Sequence, residues 1–301
     1  MKHLLSIKEL SQTQLLDILA LAKKMKANPA EYRRALDGKS VVMLFEKPSL
    51  RTRVSFDIGI NKLGGHCLYL DQQNGALGQR ESVADFATNI SCWADAIVAR
   101  TYLHSTIEKL AHYGSVPVIN ALSDLYHPCQ ALADFLSLSE QFDDISQARL
   151  AYVGDGNNVT HSLIYGAAIL GLTMTVICPE GYFPDALVVT EAQALAAQNG
   201  GKLTLSADIN LIEGHDAIYT DTWISMGDET SLAEIKERFS PYQVNAQLMA
   251  KAGAKYFMHC LPAHRGVEVT DDVIDGKGSL VLDQAENRMH AQNAVLVTLL
   301  S

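Results

Sequence analysis

From Ser40 onward, short apolar runs rich in β-branched residues alternate with longer stretches whose apolar residues recur at helical spacing. The short runs predict strands at 41–45, 96–99, 116–119, 150–153, 174–178, 217–220, 256–258 and 280–282. The longer ones predict helices at 54–63, 82–92, 107–113, 131–142, 161–169, 186–198 and 287–300. An N-terminal amphipathic pattern, carried by Leu15, Leu16, Ile18, Leu19 and Leu21, precedes them. Strand and helix in alternation predict βαβ units, hence an α/β protein with parallel sheets flanked by helices. The polar stretch 143–147, just after the helix that begins at Ala131, marks a boundary between two α/β lobes. The final helix fits either lobe.

In open parallel sheets, ligands bind beyond the carboxyl ends of the strands, and the unusual polar clusters of this chain fall there. Residues 49–53 follow the first predicted strand, Arg100 ends the second, and Asn120 ends the third with His127 and Gln130 a loop later. Residues 154–158 follow the fourth, Asp221 ends the sixth and His259-Cys260 ends the seventh.

Composition narrows the partners. The 301 residues suffice for about two domains. With 34 acidic against 24 basic residues and a net charge of −10, the chain lacks the basic excess of a nucleic-acid or membrane-surface binder. Its 5 cysteines include no CxxC pair, so neither a disulfide framework nor a zinc ribbon is indicated, and a reduced cytoplasmic setting is expected. The N-terminus has no signal-peptide pattern, and no apolar run is long enough to span a bilayer.

Each cluster carries a chemical reading and a plain one. Ser49 is a good N-cap before Leu50-Arg51-Thr52-Arg53; the helix N-terminus, the hydroxyls and Arg51 suit a phosphate, or else form an ordinary capped helix. The glycines of a P-loop are missing. Arg100, at the end of a buried strand, calls for an anion or a structural ion pair. His127-Pro128-Cys129-Gln130 opens a helix and offers donors to a developing oxyanion, or makes a capped turn. Gly154-Asp155-Gly156-Asn157-Asn158 follows a strand, yet Val159 occupies the third glycine position of a dinucleotide fingerprint, so the asparagines suit an amino-acid carboxylate or amine better. Asp221, before Thr222-Trp223-Ile224-Ser225-Met226-Gly227, suits a cationic group or an Asx turn. His259-Cys260-Leu261-Pro262 gives poor chelation geometry for zinc and no metal is expected; a covalent role for Cys260 lacks any marked activating base.

Taken together and in order, Ser49-Leu50-Arg51-Thr52-Arg53, His127-Pro128-Cys129-Gln130 and His259-Cys260-Leu261-Pro262 resemble the carbamoyl-phosphate signature of the aspartate/ornithine carbamoyltransferase family. The Asp221–Gly227 loop, Asn157-Asn158 and Glu286-Asn287-Arg288 resemble the ornithine-specific branch, and the likeness runs nearly end to end. One departure is Leu50, where the family commonly has threonine; if the position contributes its backbone N–H, the anion site survives.

The resemblance implies two lobes, each with a central mainly parallel sheet flanked by helices, and an active site in the cleft between them. Residues 1–134 would bind carbamoyl phosphate, 135–286 would bind ornithine, and 287–301 would pack back on the first lobe. Ser49, Leu50, Arg51, Thr52, Arg100, His127, Gln130, Cys260, Leu261 and Arg288 would hold carbamoyl phosphate. Asn158 (with Asn157 the weaker candidate), Asp221, Ser225, Met226 and Cys260 would hold ornithine. Arg51, Thr52, Arg100, His127 and Cys260 would carry catalysis without metal or organic cofactor, in arginine metabolism. A homotrimer is also implied, so that Gln79-Arg80 would approach a neighbour's site. The rival readings are another acceptor (aspartate, putrescine or an N-acylated ornithine), a non-catalytic sensor, and a dinucleotide oxidoreductase.

Overall fold

The computed structural model describes residues 1–71, 77–78, 81–223 and 232–301. The strands are β1 (Ser40–Phe45), β2 (His66–Leu70), β3 (Ala96–Arg100), β4 (Val118–Leu122), β5 (Arg149–Val153), β6 (Thr173–Ile177), β7 (Lys202–Ser206), β8 (Ala217–Thr220) and β9 (Tyr256–His259). The α-helices are α1 (Gln12–Ala27), α2 (Leu50–Lys62), α3 (Val83–Ile90), α4 (His104–Tyr113), α5 (Pro128–Ser139), α6 (Asn158–Leu170), α7 (Ala186–Gln198), α8 (Leu232–Phe239), α9 (Ala246–Ala252), α10 (Asp271–Ile274) and α11 (Val281–Leu300). The chain forms two compact units: Met1–Leu136 with Asn287–Ser301, and Ser137–Glu286.

Each unit is built on one parallel sheet. The first has the order β2-β1-β3-β4, the second β7-β6-β5-β8-β9. The central strands are apolar and buried, as a sheet covered on both faces requires. Helix α6 is buried all round from Val159 to Leu170, which matches the apolar run from Leu163 to Leu170, and it ends on Gly171 in the left-handed conformation (φ 76°). Both strand orders reverse direction next to the strand that starts the sheet, between β1 and β3 and between β5 and β8. These reversals are where a parallel sheet opens a ligand crevice beyond its carboxyl ends.

The strand and helix pattern expected from the sequence is largely present, with three corrections. Residues 280–282 are not a strand. Residues 278–280 touch the edge of β9 through Phe257 N–H to the Gly278 carbonyl (2.9 Å) and Leu280 N–H to the Phe257 carbonyl (2.8 Å), and the chain then turns into α11. Asn120 lies inside β4 rather than at its end, and its Nδ2 donates to the Leu5 carbonyl at 2.8 Å, so it serves the N-terminal segment. Two strands escaped the sequence reading, β2 and β7, both sheet edges with mixed exposure, as did the short helices α8, α9 and α10.

Gly156 sits where a side chain has no room. A Cβ there would lie 2.2 Å from the Pro184 nitrogen and 2.5 Å from the Phe183 carbonyl carbon, both backbone atoms. Gly156→Ala is therefore expected to displace the turn after β5 and destabilise the second unit by about 1–3 kcal/mol. A lowered urea midpoint, followed by far-UV circular dichroism, is the check; an unchanged midpoint contradicts the packing described.

Candidate active site

In the first unit, the reversal between β1 and β3 gathers seven polar side chains: Ser49, Arg51, Thr52, Arg100, His127, Gln130 and Arg288. Ser49 caps α2: its Oγ accepts from the Thr52 N–H at 3.3 Å and donates to Thr52 Oγ1 at 2.9 Å. Thr52 is fully buried, and its Oγ1 also accepts from Arg288 Nη2 at 2.6 Å. With both lone pairs engaged, the Thr52 hydroxyl is left to donate its proton outward. Arg51 is half-buried beside it. Leu50 is 75% exposed, so here the chain contributes the backbone N–H of a first helical turn, which has no partner within the helix.

Arg100 ends β3, and a register shift against β4 falls between Ala99 and Arg100. Such an irregularity re-aims a side chain at the end of a ladder. Arg100 is buried, and its Nε meets no acceptor. Burial, reinforced by the nearby Arg288 cation, pulls its pKa down to about 10, so it keeps its charge at neutral pH. Arg288, from α11, is buried as well. Besides Thr52, it donates from Nη1 to Gln130 Oε1 at 2.8 Å, and its Nη2 lies 3.5 Å from His127 Nε2. Burial, then the charges of Arg288 and Arg100, hold the His127 pKa well below the ordinary histidine value. The imidazole is therefore neutral at physiological pH. Two buried guanidiniums, a neutral histidine, a hydroxyl and a helix N-terminus form a dry cationic pocket, which calls for an anion.

In the second unit, the reversal between β5 and β8 joins Asn157 to Asp221. Asn157 caps α6, its Oδ1 accepting from Val159 N–H (3.0 Å) and Thr160 N–H (3.2 Å), while its Nδ2 donates to Asp221 Oδ2 at 2.9 Å. Both ends of that amide are thus committed, and Asn158, the first helical residue, stands beside the crevice half-buried. Asp221 Oδ1 accepts from the Thr222 N–H at 2.7 Å and from the Cys260 thiol at 2.8 Å. The buried carboxylate with its thiol neighbour suits a cationic or amine group.

The turn after β9 is held by His259. Its Nδ1 accepts from the Leu261 N–H at 2.9 Å and its Nε2 faces Glu268 Oε1 at 3.3 Å, with both side chains fully buried. Leu261 has φ 57°, an uncommon conformation for a branched residue that this hydrogen bond supports. Asp221, His259 and Cys260 bring potential metal-ligand atoms within 4.8 Å of one another, but His259 would have to give up a hydrogen bond to serve as a ligand. Ser225, Met226, Gln79 and Arg80, which the sequence reading singled out, lie outside the described residues.

Sequence reasoning missed Asp134 and Glu268. The first is spaced one helical turn from Gln130, a signal present in the sequence; the second is joined to His259 only by folding.

Two family models match the chain. The aspartate/ornithine carbamoyltransferase carbamoyl-P binding domain matches residues 2–140, and the Asp/Orn binding domain of the same family matches residues 146–299. A curated ornithine carbamoyltransferase of Shewanella oneidensis is 79% identical, with all of both chains covered. The solved structure of ornithine carbamoyltransferase from Pyrococcus furiosus has TM-score 0.94 at 48% identity, covering 98% of this chain and 96% of that one. A solved acetylornithine transcarbamylase complexed with acetylcitrulline has TM-score 0.89 at 29% identity, with 100% of each chain covered. No helix among the described residues is long and apolar enough to cross a membrane. The side-chain clusters at the two sheet reversals are thus found in a sequence matched along almost its whole length, and the chain belongs to the aspartate/ornithine carbamoyltransferase family.

Proposed function

We infer that the chain transfers the carbamoyl group of carbamoyl phosphate to the side-chain amine of L-ornithine, giving L-citrulline and phosphate. The observation that carries this reading is the dry cationic cluster of Arg100 and Arg288 around Thr52, His127 and Gln130. The first unit serves carbamoyl phosphate: Ser49, Arg51, Thr52 and the N–H of Leu50 take the phosphate, with Arg100 bridging to the carbamoyl end. Thr52, Arg100 and His127 donate to the carbamoyl oxygen, Gln130 orients the carbamoyl amino group, and Arg288 flanks it. The second unit serves ornithine through Asn158, Asp221, Ser225, Met226 and Cys260, with the Leu261 carbonyl near the attacking nitrogen.

As the neutral amine attacks the carbonyl carbon, a C–N bond forms and negative charge grows on the carbamoyl oxygen. Donors already aimed at it stabilise the transition state without reorganising. The C–O bond to phosphate then breaks, and the departing phosphate accepts the amine's proton, so no dedicated base is required. Neutral His127 donates an N–H rather than a full proton. Holding both substrates in attack geometry supplies as much as about 7–11 kcal/mol. A cytoplasmic homotrimer, implied by the family resemblance, completes the reading.

Carbamoyl phosphate supplied in parallel with ornithine, aspartate, putrescine and N-acetylornithine is expected to yield a carbamoylated product with ornithine alone. Product with another acceptor would keep the first unit's assignment and overturn the second's. Arg51→Ala is expected to lower kcat/KM for carbamoyl phosphate by on the order of 10²–10³ with an unchanged circular dichroism spectrum; near-normal kinetics would sink the phosphate assignment.

Because the folded-state pKa of His127 lies below its ordinary value of about 6.5, protonation does not reach it between pH 8 and 6.5. With ornithine saturating, His127→Asn should lower kcat/KM for carbamoyl phosphate across that range while leaving the shape of the pH profile unchanged. A wild-type inflection in this range that vanishes in the variant would show that the imidazole titrates there.

A further inference from the structure

A primary amide has two ends of nearly equal shape and opposite hydrogen-bonding sense, so a site that uses one must also fix which end faces the substrate. Gln130 lies in the first turn of α5 and is buried. Arg288 Nη1 approaches one end of its amide at 2.8 Å. A guanidinium has only donors, so that end must be the oxygen. The other end, Nε2, donates to Asp134 Oδ1 at 2.7 Å. Asp134 sits four residues further along the same helix, where side chains share a face, and is 1% exposed. Reversing the amide would set its oxygen against the carboxylate and its NH₂ against the guanidinium, turning two attractive contacts repulsive. Gln130 is locked from both ends.

The lock has a chemical consequence. A carbamoyl group differs from an acetyl group by NH₂ in place of CH₃, two groups of similar size. Only a hydrogen-bond acceptor tells them apart, because the methyl leaves that acceptor unpaired in a dry site. An amide free to turn would also present NH₂ and lose the distinction.

We propose that Asp134 is a positioning residue for substrate selection: it anchors the Gln130 NH₂ so that the amide oxygen is presented to the carbamoyl amino group, and the site thereby rejects acetyl phosphate. Asp134 acts through Gln130 and does not itself touch substrate. The inference rests on the carbamoyl-transfer reading above.

The test compares the inhibition constant of acetyl phosphate, competing against carbamoyl phosphate, with the KM for carbamoyl phosphate in the same preparation. This ratio is insensitive to the fraction of protein that is folded. Asp134→Asn preserves the shape of the side chain but removes its charge and gives it an NH₂ as well as an oxygen, so the position no longer accepts only and no longer pins one orientation of the Gln130 amide. It is expected to lower the ratio on the order of 10-fold, the lower end of what orienting partners of metal ligands cost. Asp134→Glu changes the shape but keeps a carboxylate acceptor, and is expected to retain more of the selectivity than Asp134→Asn. In a Gln130→Met background, where selectivity is already lost, adding Asp134→Asn should change the ratio no further.

An Asp134→Asn ratio within about twofold of wild type overturns the proposal, since a coupling that small is ordinary non-additivity. So does the opposite order of Asn and Glu, which would mark a packing role, and so does an equal loss in the Gln130→Met background. Should Asp134→Asn yield no folded protein, Asp134→Ser is read by the same ratio. Absence of citrulline from the wild-type chain would instead remove the carbamoyl-transfer reading, and the inference with it.

Discussion

Two guanidinium groups buried side by side are the constraint on which the first unit turns. Arg100 and Arg288 are both almost fully enclosed; burial first, and then the repulsion between them, lowers the pKa of Arg100 to about 10, although not to neutral pH. A pair of like charges in a dry interior is tolerated only where oriented acceptors and a bound anion compensate. Thr52 Oγ1 and Gln130 Oε1 supply two of the acceptors. What remains is a standing demand for negative charge, and burial, reinforced by the same field, keeps His127 neutral. Membership of the C-terminal segment in the first unit follows from these contacts, together with the 2.8 Å hydrogen bond from Lys26 Nζ to Asn287 Oδ1.

The second unit applies the same architecture with the opposite sign. Its sheet reverses between β5 and β8 as the first reverses between β1 and β3, and each reversal places one helix N-terminus and one strand end together. In the first unit the strand end carries Arg100; in the second, Asp221 follows it. Asp221 is tied down by Asn157, Thr222 and Cys260, so its charge is held in place rather than swung by solvent. His259 and Glu268, wholly buried, hold the turn that presents Cys260. A chain with net charge −10 can therefore serve an anionic substrate, because the cationic groups are concentrated and dry where they are needed.

Much of the fold was legible because covered parallel strands read as continuous apolar runs. β1, β3, β5 and β8 stand out for that reason. β2 and β7 did not, since these two edge strands are partly exposed and their exposed positions interrupt the run, whereas the edge strands β4 and β9 are largely buried. Residues 280–282 misled because three apolar residues at a helix start look the same as three in a strand. The candidate site was legible where a motif is contiguous: Ser49–Thr52, His127–Gln130 and Asn157-Asn158 each combine a strand end or loop with a helix start, and His259–Leu261 combines a strand end with the turn after it. It was not legible where partners come from distant segments, as with Arg288 and Thr52, or where a buried carboxylate has no motif around it, as with Asp134 and Glu268.

By itself, the sequence determined the class of fold, the order of its elements, the family and the residue types available for chemistry, because local periodicity and short motifs depend only on neighbours along the chain. Only the tertiary structure decided how those residues are used. It turned the Gln130 amide, through Arg288 and Asp134; it left the Thr52 proton free to donate; it set the charge of His127; and it committed Asn157 to Asp221. Each of these depends on which group from another segment lies within 3 Å or so in a dry interior, where hydrogen-bond direction and charge are settled by the partner rather than by the residue's own chemistry.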